Sequence, residues 1–199
     1  MAKENPKYQG VLLDENNKPI EGSEFKDWKS RSVAVVCAVI SKTKDGQWQF
    51  LVEKRGPGCP DNVGKYVMCC GYVGWEETLR EAAVRELYEE TGLKAKPEDL
   101  KFVGLNDGVK ENRQNITLRY VIEMPEKVLI SHLENVDLRT DIRGGEKNEV
   151  DELTLVPYFY ARENADDFAF GHADVMKEII DNYEKIKAGG YYKDSLDRK

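Results

Sequence analysis

The run Ser32-Val33-Ala34-Val35-Val36-Cys37-Ala38-Val39-Ile40 constrains this chain more than any other feature. It is nearly all apolar, rich in β-branched residues and without polar alternation. A strand with one wet face alternates, so this run predicts a strand buried on both faces. Such a strand needs apolar cover above and below. The sequence on either side supplies candidates. Lys44-Asp45-Gly46-Gln47 reads as a turn, residues 48–53 as the returning strand ending at Lys54-Arg55, and residues 56–60 as a Gly/Pro-rich loop. Residues 66–70 are a further short apolar run. Over residues 77–91 the period becomes helical, with Leu79, Ala82, Ala83 and Leu87 on one side and Gly92 at the expected C-terminus. Strands are predicted over 100–105, 116–124 and 153–156. A short strand is predicted at 127–131, within a charged and irregular stretch over 125–145. A second helix is predicted over 173–187, where Met176, Ile179, Ile180, Tyr183 and Ile186 form a core-facing stripe. This order predicts an α/β (α+β) fold with a mixed sheet between helices.

The 199 residues suffice for one domain, expected over 31–187, with an N-terminal extension over 1–30 and a polar tail over 188–199. In the extension, Val11-Leu12-Leu13 and the turn-like Asp14-Glu15-Asn16-Asn17-Lys18-Pro19 are compatible with a β-hairpin arm or with a loose tail. Exchange of such an arm offers a route to a homodimer. A formal net charge of −7 argues against non-specific binding to nucleic acid or to an anionic membrane. Apolar runs fall short of the roughly 20 residues of a span. The first residues also lack the apolar stretch of a signal peptide, so a cytoplasmic location is expected. Cys37, Cys59, Cys69 and Cys70 match no zinc or redox spacing and are read as free thiols, mostly buried.

The chemistry is concentrated on the first helix. At about 100° per residue, Glu86, Glu89 and Glu90 lie within about a third of the circumference. Leu79, Ala82 and Ala83 fall in or near the same sector, so the carboxylates continue the buried stripe. An acidic run on a helix is ordinarily a solvated face; here the apolar neighbours argue for a partly enclosed site. Partly desolvated carboxylates repel one another and call for a positive partner. Hard oxygen donors of this kind suit Mg²⁺, with Mn²⁺ as the alternative, and such ions commonly join carboxylates to substrate phosphates.

The segment containing them reads Gly71-Tyr72-Val73-Gly74-Trp75-Glu76-Glu77-Thr78-Leu79-Arg80-Glu81-Ala82-Ala83-Val84-Arg85-Glu86-Leu87-Tyr88-Glu89-Glu90-Thr91-Gly92-Leu93. It resembles the signature of the Nudix hydrolase family, G-x5-E-x7-R-E-U-x-E-E-x-G-U, at every fixed position. The resemblance implies a Nudix α/β/α sandwich and a metal-dependent hydrolase acting on a pyrophosphate bond. Its substrate would be a small nucleotide, a nucleoside diphosphate linked to another moiety. By position, Glu86, Glu89 and Glu90 would be metal-binding and catalytic, with Glu86 also a candidate base. Arg85 and Glu77 would orient these ligands or hold the loop and helix together. Gly71 and Gly92 would sit where the backbone bends. Glu76 stands where relatives often carry Gly.

Many such enzymes recruit a further acid, and the resemblance points to residues 146–152, with Glu152 slightly ahead of Glu149; a solvated acidic loop is the alternative. Arg55 and Lys65 are candidate substrate contacts, although each also fits a surface role. Trp75 and Tyr72 could stack on a base or pack on the core. The stretch 168–173 resembles the entry to the last helix in some ADP-ribose-type relatives, which leans the substrate expectation toward ADP-ribose or a nucleotide sugar; His172 itself is read as a capping or packing residue. Residues 104–113 contain no Pro and no Tyr, the residues that mark some ADP-ribose and dinucleoside polyphosphate subfamilies there. The rival reading is a non-catalytic Nudix-type nucleotide-binding sensor or regulator. The complete set of box glutamates argues against it.

Overall fold

The structure is a computed structural model and describes residues 10–13, 19–25, 31–108 and 115–191. The chain divides into two compact units, Met1–Ser32 and Val33–Lys199. In the first, β1 (Gly10–Leu13) and β2 (Pro19–Phe25) pair antiparallel, with Gly10 opposite Phe25 and an irregularity between Val11 and Leu13. The turn expected at residues 14–18 lies outside the described residues. So do residues 109–114 and the end of the polar tail.

The second unit is organised around β3 (Ser32–Lys42) and β4 (Trp48–Arg55). They pair antiparallel from Val39 opposite Leu51 to Lys42 opposite Trp48, around a turn in which Gly46 takes φ 79°. Beyond Val39 the two strands part. The fork is filled by β5 (Tyr66–Val67), which pairs with β4, and β6 (Cys69–Tyr72), which pairs with β3 from Cys37 opposite Cys69 to Ala34 opposite Tyr72. The far edge of β4 carries β9 (Val150–Pro157) along its length. The other edge of β3 carries β8 (Asn115–Glu123), and β7 (Lys101–Asn106) lies outside β8. The result is one seven-stranded sheet.

Alternation along β3 assigns its residues to two cores. Val36, Ala38 and Ile40 join Phe50, Val52 and Met68 beneath α5 (His172–Lys187), whose Met176, Ile179, Tyr183 and Ile186 are buried there, together with Ala161 of α4 (Tyr158–Glu163). Val35, Cys37 and Val39 join Leu51 and Cys69 against Ala82, Ala83 and Leu87 of α1 (Leu79–Thr91) and Leu129 of α2 (Glu126–Asn135). This is the physical reason for the unalternated run: both faces of β3 are covered. The sheet between helices expected from the element order, and the α/β/α sandwich that the resemblance implied, are observed.

Local chemistry sets the ends of α1. Thr78 caps it, accepting from the Glu81 N–H, while the Glu81 carboxylate accepts from the Thr78 N–H, a reciprocal capping box. Gly92 ends it at φ 73°, a left-handed turn that L side chains rarely adopt. One expectation fails. Residues 127–131 are not a strand but part of α2. Val128 and Ile130 suggested β structure locally, yet Leu129 and Leu133, one helical turn apart, both pack against the α1-side core. Tertiary burial of that pair outweighs β-propensity. No helix among the described residues is long and apolar enough to cross a membrane.

Candidate active site

Helix α1 leaves the sheet carrying its glutamates toward the β6 end of the fork. Arg85 ties this helix to the loop before it. Its guanidinium donates to both Glu77 oxygens (2.9 and 2.7 Å), to Glu86 (2.8 Å), to Glu89 (3.2 Å) and to the Tyr72 carbonyl (2.9 Å). Glu77 also accepts from the Gly74 N–H at 2.6 Å. The Arg85 hydrogen bonds hold the Glu77 carboxyl below the usual carboxylate range. By this geometry Arg85 positions the carboxylates. Arg143, on the short helix α3 (Arg143–Glu146), reaches the other oxygen of Glu89 at 2.7 Å.

Gly71 lies in β6, in ordinary extended structure rather than at a bend. The expectation of a backbone bend there is corrected: a Cβ on Gly71 would fall inside the Glu86 carboxyl. Glycine lets the Glu86 carboxyl lie directly on the backbone; a larger residue would have to displace it. Gly92 does occupy the bend expected of it.

The glutamates open onto a cavity of about 1480 Å³. Glu86, Glu89 and Glu90 line it, as do Glu149, Arg55 and a residue that the sequence reading passed over, Glu53. Glu90 accepts from the Cys70 N–H at 2.9 Å. Burial, reinforced by Glu86 and Glu149, pushes its carboxyl up to about 8, against the hydrogen bonds from Cys69 and Cys70. Burial also raises Glu86, opposed by Arg85. Glu53 is only 4 % exposed, and burial with Glu90 close by drives it well above its ordinary range. The signal for Glu53 was present in the sequence: an acid following Phe50-Leu51-Val52 in a strand with no wet face.

The two late acids separate. The loop after β4 zips onto the segment before β9, with the Gly56 N–H donating to the Glu149 carbonyl (2.8 Å) and the Gly58 N–H to the Asn148 carbonyl (2.7 Å). That contact sets Glu149 at the cavity. Glu152 instead lies 4.0 Å from Lys54 and is not part of the cavity wall. The order of preference between them is therefore reversed.

Arg55 lines the cavity, held by two hydrogen bonds to Asp61 (3.1 and 3.0 Å) and lying 5.0 Å from the Phe170 ring. Lys65 donates to the Asp166 carbonyl and is not in the cavity wall. Trp75 is fully exposed, neither packed on the core nor lining the cavity, whereas Tyr72 is half-exposed at the wall. An ion pair unforeseen from sequence, Arg119–Glu178 at 3.4 Å, also lines the cavity. His172 is a packing residue: buried, it accepts the Met68 N–H on Nδ1 at 2.9 Å. All four cysteines are free thiols; Cys37 and Cys69 are buried.

Among the described residues no three His, Cys, Asp or Glu side chains already converge as a metal site. The donor chemistry nonetheless fits a hard divalent cation. Glu53, Glu86, Glu90 and Glu149 face one cavity, and one buried Glu53 oxygen has no hydrogen-bond partner.

Comparison with known proteins agrees with this fold. The model of the NUDIX domain matches residues 30–179. Among solved structures, a MutT/nudix family protein from Enterococcus faecalis superposes with a TM-score of 0.62 at 15 % identity, over 83 % of this chain and 67 % of that one. The NUDIX domain of Shewanella oneidensis NrtR, solved with ADP ribose, gives 0.58 at 16 % identity, over 78 % and 90 %. NrtR has also been solved with a 27mer DNA, at 0.59 and 13 % identity, over 80 % and 68 %. A bifunctional NMN adenylyltransferase/ADP ribose pyrophosphatase from Francisella tularensis, complexed with AMP and a Mn ion, gives 0.58 at 13 % identity, over 78 % of this chain and 42 % of that one. These likenesses are of fold. With the domain model matched over most of its length and the signature complete from Gly71 to Leu93, this chain belongs to the NUDIX family.

Proposed function

We propose that this chain is a hydrolase that cleaves the pyrophosphate bond of a nucleoside diphosphate linked to another moiety, with Mg²⁺ or Mn²⁺ as cofactor. The observation that carries the reading is the gathering of Glu86, Glu89, Glu90 and Glu149 at one large cavity that also holds Arg55. Glu86 and Glu90 would hold the cation and Glu149 would supply a further oxygen, while Glu89 is engaged by Arg85 and Arg143. When bound, the ion supplies charge neutralisation on the phosphates and activates water for attack at phosphorus. Glu86, whose carboxyl burial raises, would take or orient a proton of the attacking water. Arg55 offers a guanidinium for a phosphate oxygen. Arg85 keeps the carboxylates in register by holding Glu77, Glu86 and Glu89 together.

ADP-ribose and nucleotide sugars are the first substrates to test. The cavity exceeds the roughly 300–1,000 Å³ of common small-ligand pockets, so it has room for both halves of such a molecule. The likeness to an ADP ribose pyrophosphatase and to a domain solved with ADP ribose supports the same choice. The second reading, a nucleotide-binding sensor, is favoured by the likeness to NrtR, which has been solved with both ADP ribose and DNA.

One experiment separates the two. The protein with Mg²⁺ is incubated with ADP-ribose, nucleotide sugars, dinucleoside polyphosphates, NADH, coenzyme A and nucleoside triphosphates, and phosphatase-released phosphate is read. Turnover that disappears in Glu86→Gln supports the hydrolase. Tight binding of one compound with no turnover of any moves the assignment to the sensor.

A further inference from the structure

Glu53 stands 18 residues ahead of the signature, and nothing in that signature calls for an acid there. Its backbone is held from both sides, opposite Val67 of β5 and opposite Leu153 of β9. The side chain therefore projects from a fixed point in the middle of the sheet. It is 96 % buried by its 4 % exposure, and its Oε2 has no hydrogen-bond partner. It lines the same cavity as Glu86, Glu90 and Glu149, and the field of all three acts on it.

Two of the cations at the cavity, Arg85 and Arg143, are engaged by other groups. Arg85 donates to Glu77, Glu86, Glu89 and the Tyr72 carbonyl. Arg143 pairs with Glu89. Arg55, whose field favours an ionised Glu53, hydrogen-bonds to Asp61 and lies against Phe170. A buried carboxylate among three others, with an unsatisfied oxygen, is a costly arrangement in the free protein. It becomes favourable if a multivalent cation with room for several oxygen ligands sits between strand and helix.

We propose that Glu53 is a ligand of the divalent cation, a rigid strand-borne carboxylate that completes the oxygen set begun by Glu86 and Glu90 on the helix. This rests on the cation-dependent reading given above. It goes beyond it in placing a ligand outside the signature, on a strand rather than on the helix. Because β4 is locked between two strands, Glu53 would set the distance from sheet to ion while the helix adjusts to it.

The test is Mn²⁺ binding to the substrate-free protein, read as free Mn²⁺ by electron paramagnetic resonance, with Mg²⁺ as competitor. Glu53→Gln preserves shape and removes the charge. It is expected to weaken Mn²⁺ binding by about ten-fold or more, in the range seen when metal-site groups are altered. Without metal it is expected to melt no lower than wild type. Glu53→Asp keeps the charge on a shorter arm and should bind with intermediate affinity. Wild-type affinity and stoichiometry in either folded variant would overturn the proposal, and would mean that Glu53 is simply protonated. The outcome is separate from that of the substrate panel. Loss of Mn²⁺ binding in Glu53→Gln with no wild-type turnover upholds the ligand and rejects the hydrolase. Turnover in the wild type with undiminished Mn²⁺ binding in Glu53→Gln does the reverse.

Discussion

At the scale of single residues, the site depends on close approach more than on any one strong contact. Glu86 lies so near the β6 backbone that any side chain at position 71 would have to displace its carboxyl. Arg85 serves three carboxylates and a carbonyl at once, and its planar fork makes that geometry available where a lysine could not. The two late acids give a direct contrast. Glu149 lines the cavity, whereas Glu152 lies beside Lys54. In steady-state kinetics on the substrate that the panel identifies, Glu149→Gln is expected to lower kcat by about ten-fold or more, the scale of a group engaged in the transition state. Glu152→Gln should leave kcat within about two-fold, since exposed ion pairs contribute little. Equal effects of the two would reject the placement.

At the scale of elements, α1 joins two tasks that its sequence interleaves. Ala82, Ala83 and Leu87 anchor it on the sheet, and Glu86, Glu89 and Glu90 extend from the neighbouring turns into the cavity. The small side chains at 82 and 83 let the helix lie close to β3 and β6. Leu87 is fully buried at the centre of that contact. Leu87→Ala is expected to lower stability by about 2–5 kcal/mol in urea melts. Because the carboxylates are positioned by this packing, Mn²⁺ affinity should fall with it. A variant that melts early yet binds Mn²⁺ as wild type does would show that helix seating and ligand geometry are independent. Helix α2 makes a related point. Residues 127–131 contain the composition of a strand, and the helix forms because Leu129 and Leu133 meet the core one turn apart.

At the scale of the whole molecule, α5 both packs on the sheet and lines the cavity. His172, at the start of α5, accepts the Met68 N–H between β5 and β6, which ties the last helix to the fork holding Gly71. Burial, with the charges of Arg119 and Arg55 nearby, lowers His172 from its ordinary 6.5 to about 3. A neutral histidine is therefore built into the fold. The unfolded chain binds a proton there below about 6.5 and the folded chain does not, so unfolding is favoured as the pH falls from about 6.5 toward 3. This contribution is fully present above 6.5. Urea melts between pH 7.5 and 4.5 should show wild type losing stability more steeply than His172→Gln. That variant should itself be less stable by about 1–3 kcal/mol at pH 7.5, through imperfect replacement of the acceptor. Parallel slopes would assign the acid sensitivity to the carboxylates instead.

What the sequence determined by itself was whatever depends on neighbours along the chain. The unalternated run at residues 32–40 demanded cover on both faces, and the two cores supply it. Thr78, Glu81 and Gly92 set the ends of α1 through bonds spanning only a few residues. The spacing from Gly71 to Leu93 announced the carboxylate cluster. What only the tertiary structure decided concerns residues that meet across the fold. The zipper between residues 56–58 and 148–149 turns Glu149, rather than Glu152, to the cavity. Arg143 arrives from 54 positions away to hold Glu89. The strand fork buries Glu53 beside Glu90, a pairing that neither hydrophobic period nor helical spacing encodes, because burial and register across the sheet are properties of the assembled layers.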